Sequence, residues 1–223
     1  MTAGYAAWRR RIQCAAGLLL LVMAMLLMAM RAQAAAPTAP ATHTVLVMGD
    51  SLSAGYGMAT EQGWVALTAR RIAREKPGWR VVNASISGET TAGGAARIID
   101  ALVRERPDVV VIALGANDGL RGLPTQQSAN HLAYMIGAAH GAGAKVLLVG
   151  MQMPPNLGPA YTRAFEANYR NLADRFHVAL LPFLLAPIAT DRDAYQADNL
   201  HPTAAVQPQL RDHVWTALAP LLD

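Results

Sequence analysis

Cysteine is almost missing from this sequence: Cys14 is the only one in 223 residues, and it sits inside an uncharged apolar stretch running from Ile12 to Met30. No disulfide can staple the rest of the chain, so its stability has to come from a hydrophobic core. Acidic residues are absent from the first 34 positions. Arg9, Arg10 and Arg11 stand there instead, followed by the apolar run and then "RAQAAAPTAP", with Ala32 and Ala34 suiting cleavage before Ala35. That is the layout of a secretory signal peptide. The alternative is a membrane anchor, since a spanning helix takes ~20 apolar residues. We read residues 1–34 as a leader, 35–42 as a spacer and 43–223 as one domain. The domain is expected to be exported, to the periplasm or beyond, with no stable membrane span once the leader is gone. Arg9, Arg10, Arg11 and Arg31 carry the whole formal charge of +4; beyond them basic and acidic residues balance. The domain therefore lacks the positive excess that draws nucleic acid or acidic lipid. No protein partner is indicated.

Internal repeats and low-complexity tracts are also absent after the spacer. Short Val/Leu/Ile runs recur instead, at Thr44–Met48, Arg80–Asn83, Val109–Leu114, Lys145–Val149 and Val178–Phe183. They lack strict alternation, as strands covered on both faces of a parallel sheet do. Helix-period stretches lie between them. Tyr161, Phe165, Tyr169, Leu172 and Phe176 recur at threes and fours, as do Val206, Leu210, Val214, Leu218 and Leu221. Trp64–Glu75, Ala92–Arg104 and Gln126–His140 also read as helices, and Pro208 has to occupy the first turn of the last helix or kink it. Alternating strands and helices predict a three-layer α/β/α sandwich on a five-stranded parallel sheet. In such a sheet the site lies at the carboxyl ends of the strands. Three polar turns should meet there: Gly49-Asp50-Ser51, "NASISGET" (Asn83–Thr90) and "GANDG" (Gly115–Gly119).

The first turn, within "VLVMGDSLSAGYG", lacks what a phosphate cradle needs. There is no lysine before Lys76, Asp50 would put a carboxylate beside the phosphates, and the G-x-G-x-x-G spacing is missing. The G-x-S-x-G elbow of common α/β-hydrolases is missing too. A nucleophile remains, and it needs a base and an orienter. "ADNLHPTAA" offers Asp198 and His201, with Pro202 steering His201 away from helical dihedrals. The plain alternative is an ordinary loop or half of a metal site, but no further His/Cys cluster accompanies it. We expect no metal and no cofactor.

Together "GDSLS", "NASISGET", "GANDG" and "DNLHP" resemble, in order, the four motif blocks of the SGNH (GDSL) hydrolases. Through "GDSLSAGYG", "VVNASISGET", "GANDGLRGLP" and "LLPF" the chain is most similar to the bacterial group acting as acyl-CoA thioesterases, lysophospholipases and arylesterases. Ala116, where near relatives often carry Gly, leaves Asn117 in place. The resemblance implies a flavodoxin-like sheet and a serine esterase or thioesterase acting on small acyl esters. In it Ser51 attacks the acyl carbonyl, His201 relays the proton and Asp198 holds the imidazole. It also implies an oxyanion hole made of the Ser51 and Gly88 N–H groups and the Asn117 amide. Met151, Met153 and Leu157 suit either core packing or an acyl groove, and Leu120, in "GLRGLP" (Gly119–Pro124), a mobile lip over the acyl chain. Asp50, Asn83 and Asp118 are expected to order the turns, as are Ser53, Ser85 and Ser87. His131, His140, His177 and His213 are expected to be solvated. Two readings compete: a carbohydrate O-deacetylase on the same fold, and a catalytically silent lipid- or glycan-binding protein.

Overall fold

The computed structural model describes residues 42–223, which fold around one sheet. Its strands are β1 (His43–Gly49), β2 (Trp79–Asn83), β3 (Val109–Ala113), β4 (Lys145–Val149) and β5 (Ala179–Leu181). All pair in parallel, in the order β2-β1-β3-β4-β5. The central strands explain the unbroken apolar runs: Val45, Leu46 and Met48 of β1 and Val109 to Ile112 of β3 are fully buried, so neither face can carry polar residues. Edge strand β2 has no fully buried residue. The fifth strand is shorter than the sequence suggests. Pro182 has no N–H to continue the ladder, and Leu184 N–H turns back to Gly150 O at 3.0 Å.

The helices are α1 (Ser51–Ala54), α2 (Trp64–Glu75), α3 (Thr91–Glu105), α4 (Ala116–Leu120), α5 (Thr125–Gly141), α6 (Pro159–Phe176) and α7 (Gln207–Leu218). α2 packs on α7, while α3 packs on α5 and α5 on α6. The sheet thus lies between two helical layers, as the alternation predicts. The α6 stripe buries Phe165, Tyr169 and Leu172, with Tyr161 and Phe176 packed at its ends. Pro208 lies in the first turn of α7, where its missing N–H costs nothing.

Consecutive connections leave β1 in opposite directions, to β2 on one side and, through β2, to β3 on the other. This reversal opens a crevice at the carboxyl ends of β1 and β3. Residues 1–41, which hold the expected leader and most of the expected spacer, lie outside the described residues. Among the described residues no helix is long and apolar enough to cross a membrane.

Candidate active site

Gly49, the last residue of β1, pairs with Ala113, the last of β3, so the two following turns start side by side. Asp50 caps α1: its carboxylate accepts the Leu52 N–H at 3.0 Å. Ser51 is consequently the first residue of a short helix standing on the strand end. Beyond β2 the chain continues along β1, with Ala84 N–H donating to Val47 O (2.9 Å) and Ile86 N–H to Gly49 O (3.0 Å). That path carries Ser87 and Gly88 to the crevice. Gly88 has φ 81, a region open to glycine and strained for other residues. After β3, Gly115 takes φ 121, and a β-carbon there would lie 2.1 Å from Tyr169 Oη. The same Tyr169 hydroxyl donates to Leu114 O at 2.9 Å and fixes the turn. Asn117 then sits in α4 with its Nδ2 donating to Glu89 O at 3.1 Å, which joins the second and third turns. The Ser51 and Gly88 N–H groups have no hydrogen-bond partner among the described residues.

The loop that follows the sheet brings the fourth block across. Gln196 N–H donates to His201 O (2.8 Å), Thr203 N–H to Ala194 O (2.8 Å), and Tyr195 and Pro202 form an antiparallel bridge. Asn199 makes the tight reversal with φ 55. Inside it, one Asp198 oxygen accepts the Leu200 and His201 N–H groups, at 2.9 and 3.0 Å. The other lies 2.7 Å from His201 Nδ1. His201 Nε2 is 2.8 Å from Ser51 Oγ, across 150 residues of sequence. With Asp198 accepting at Nδ1, Nε2 is free to accept from the serine hydroxyl. The His201 N–H and imidazole bonds, then the Leu200 N–H, hold the Asp198 carboxyl down at about 2. Burial does the reverse at Asp50, pushing its carboxyl up to about 6 against the lowering pull of the Leu52 N–H and His201.

Ser51, Gly88, Asn117 and His201 all line one cleft of ≈ 1050 Å³, and Met151, Met153 and Leu120 form part of its apolar wall. Leu157 does not line it. It belongs to a 3₁₀ turn (Pro155–Leu157) and packs against the core, because Pro154 and Pro155 turn the chain away from the crevice after Met153. Phe183 and Leu185, beyond β5, complete the wall. Sequence reasoning passed over these two, and also Tyr56, whose ring packs on His201 with centroids 4.4 Å apart. "GYG" and "LLPF" marked both segments as family-like without saying which side chains face the site.

Asn83 bridges turns as expected, Nδ2 donating to Ser53 O (2.9 Å) and Oδ1 accepting Ser85 N–H (3.1 Å). Buried Asp118 accepts from Thr91 N–H, Thr91 Oγ1 and Ser128 Oγ. His140 and His177 are exposed, but the other two histidines differ from expectation. His131 Nδ1 lies 3.1 Å from Thr91 Oγ1, and His213 Nε2 donates to Phe183 O at 2.9 Å; both are half-buried between elements. The "GLRGLP" loop is tied down in this state: Arg121 donates to Gly88 O (3.1 Å) and Tyr161 Oη to Leu123 O (2.8 Å). Among the described residues no group of three His, Cys, Asp or Glu side chains could hold a metal.

Residues 47–207 match the GDSL-like Lipase/Acylhydrolase family. The chain is 50% identical to the esterase TesA of Pseudomonas aeruginosa over 182 residues, 82% of this chain and 90% of that protein. It is 39% identical to the thioesterase 1/protease 1/lysophospholipase L1 of Escherichia coli K12 over 185 residues, covering 83% and 88%. A crystal structure of TesA superposes with a TM-score of 0.78 at 50% identity, over 80% of this chain and 99% of that one. A family match across the sheet and its motif turns, with a half-identical esterase on the same fold, establishes that the chain belongs to the GDSL-like lipase/acylhydrolase family and is a carboxylic ester hydrolase.

Proposed function

We propose that the chain is an exported serine esterase and thioesterase that works through an acyl-enzyme on Ser51. The observation that carries this reading is the continuous relay from Asp198 through His201 to Ser51 Oγ, with links of 2.7 and 2.8 Å. Ser51 Oγ attacks the acyl carbonyl as its proton passes to His201 Nε2. Asp198 holds the tautomer and stabilises the imidazolium. The oxyanion that develops takes the unpartnered N–H groups of Ser51 and Gly88 and the second N–H of the Asn117 amide, whose first is engaged by Glu89 O. His201 then returns the proton to the leaving oxygen or sulfur.

The acyl chain lies along Met151, Met153 and Leu120, where flexible thioethers adapt to different chain shapes. Acyl thioesters, lysophospholipids and activated aryl esters are the substrates proposed, the first two in keeping with the name of the Escherichia coli relative. Sugar esters fit less well, because Trp64, Trp79 and Trp215 do not line the cleft. Export rests on the composition of residues 1–34, which also delimits the domain as 43–223.

The test is a substrate panel on the purified protein: p-nitrophenyl acyl esters, acyl-CoA, lysophosphatidylcholine and acetylated xylose. Hydrolysis of the first three is expected, and Ser51→Ala should abolish it while the circular dichroism spectrum stays unchanged. Turnover that survives in Ser51→Ala removes the serine from the mechanism. A Ser51 that resists fluorophosphonate labelling would favour a silent binding protein.

A further inference from the structure

Gln196 stands outside every motif block that marks the site, yet each of its polar groups but one is committed to the loop that carries His201. Its N–H donates to His201 O (2.8 Å), its carbonyl accepts Asn199 N–H (2.9 Å), and its Nε2 donates to Pro202 O (3.0 Å). The same Nε2 donates to Tyr56 O at 2.9 Å, across 140 residues. Both partners of the side-chain terminus are carbonyl acceptors, which assigns the nitrogen to that position. Gln196 is packed tightly there: a β-carbon on Gly57 would lie 2.1 Å from its Oε1.

Among the described residues, only two hydrogen bonds join the nucleophile turn (residues 50–58) to the histidine loop (191–203). One is Ser51 Oγ to His201 Nε2, and the other is Gln196 Nε2 to Tyr56 O. The first cannot persist through the reaction. Once Ser51 is acylated its Oγ has no proton to donate, so the direct link to the imidazole is broken at the stage when His201 must activate water. The packing of the Tyr56 ring on His201 remains, and the backbone that presents that ring is the segment Gln196 holds.

We infer that Gln196 is a positioning residue for deacylation, keeping His201 in register with the acylated serine. The inference rests on the Ser51–His201 reading above. In the step it serves, a water oxygen bonds to the acyl carbon while a water proton passes to His201 Nε2. The tetrahedral intermediate then collapses, the Ser51 Oγ–carbon bond breaks, and the imidazolium gives its proton to Oγ. The carboxylic acid departs and ionises in solvent. Acylation starts with the serine–histidine bond intact and depends less on the second tie.

The experiment is pre-steady-state hydrolysis of p-nitrophenyl butyrate by wild type, Gln196→Leu and Gln196→Glu, with fluorophosphonate labelling as an independent measure of Ser51 attack. Glu keeps the shape of Gln, but its carboxylate cannot donate to two carbonyls, so it serves where Leu perturbs folding. Deacylation is expected to slow by about 10-fold or more, the scale set by a small misplacement of a reacting group. Labelling should change by less than about 3-fold by the same reasoning, so acyl-enzyme accumulates and a burst of p-nitrophenol appears or grows. Equal loss in labelling and deacylation, or no loss in either, overturns the inference. Turnover that persists in Ser51→Ala instead overturns the serine mechanism beneath it.

Discussion

Asp50 and Ser51 are consecutive, yet the protein treats them oppositely: the carboxyl is 1% exposed beneath the turn while the hydroxyl faces the cleft. Burial lifts Asp50 from 3.8 to about 6, so this group makes the folded state bind a proton more tightly than the unfolded one. Its contribution therefore favours folding at low pH and is lost as pH rises from about 4 to about 6. Two units correspond to on the order of 3 kcal/mol. Asp50→Asn keeps an acceptor for Leu52 N–H and removes the titration, so urea unfolding across this window should lose that downward component. A pH slope identical to wild type would contradict the burial argument. Asp198 works with the reverse sign. Its folded value of about 2 gives stability that is complete above 3.8 and disappears as pH falls through 2. On the catalytic side, Asn117→Ala should lower kcat by ~10²–10³, the range for one oxyanion donor. Full activity on p-nitrophenyl esters in that variant would remove the amide from the oxyanion hole.

At the scale of elements, the site is made of turns that no single strand or helix could hold alone. Asp118, in the short α4, binds the first residue of α3 through Thr91 N–H (2.8 Å) and Oγ1, and reaches α5 through Ser128 Oγ (3.0 Å). Three helices therefore meet on one buried carboxylate, next to the asparagine that lines the cleft. Asp118→Ala strands a buried N–H and two hydroxyls, a loss of ~3 kcal/mol or more. Chemical denaturation should register it as a lower midpoint with an unchanged slope. A change below ~1 kcal/mol, no more than one ordinary hydrogen bond, would show that the three donors find other partners.

The cleft exists only for the whole molecule, because its walls come from the segments that follow all five strands. Gly150 N–H donates to Leu181 O (2.8 Å) and Gly150 O accepts Leu184 N–H (3.0 Å), which sets Met151 and Met153 beside Phe183 and Leu185. Met153→Trp should fill the apolar arm. The kcat/KM ratio of long-chain to acetyl ester is then expected to fall by about 10-fold or more, while acetyl ester turnover stays close to wild type. An unchanged chain-length profile would place the acyl chain elsewhere.

Much of this was open to inspection in the residue string. Unbroken Val/Leu/Ile runs give a doubly covered sheet, and polar glycine turns at their carboxyl ends point to one crevice, because strand burial and turn chemistry are local properties. The candidate nucleophile, base and oxyanion donors were equally legible, since each lies in a short motif. Residues such as Gln196, Tyr56 and Phe183 were not. Their significance lies in what they face across a hundred residues or more, and a side chain's direction there depends on how loops pack. Leu157 shows the same limit from the other side: a short way past β4 it resembles Met151 and Met153 in the sequence, and a proline turn carries it against the core instead. Local physics wrote the elements and their chemistry, and only the closed fold decided which of them meet.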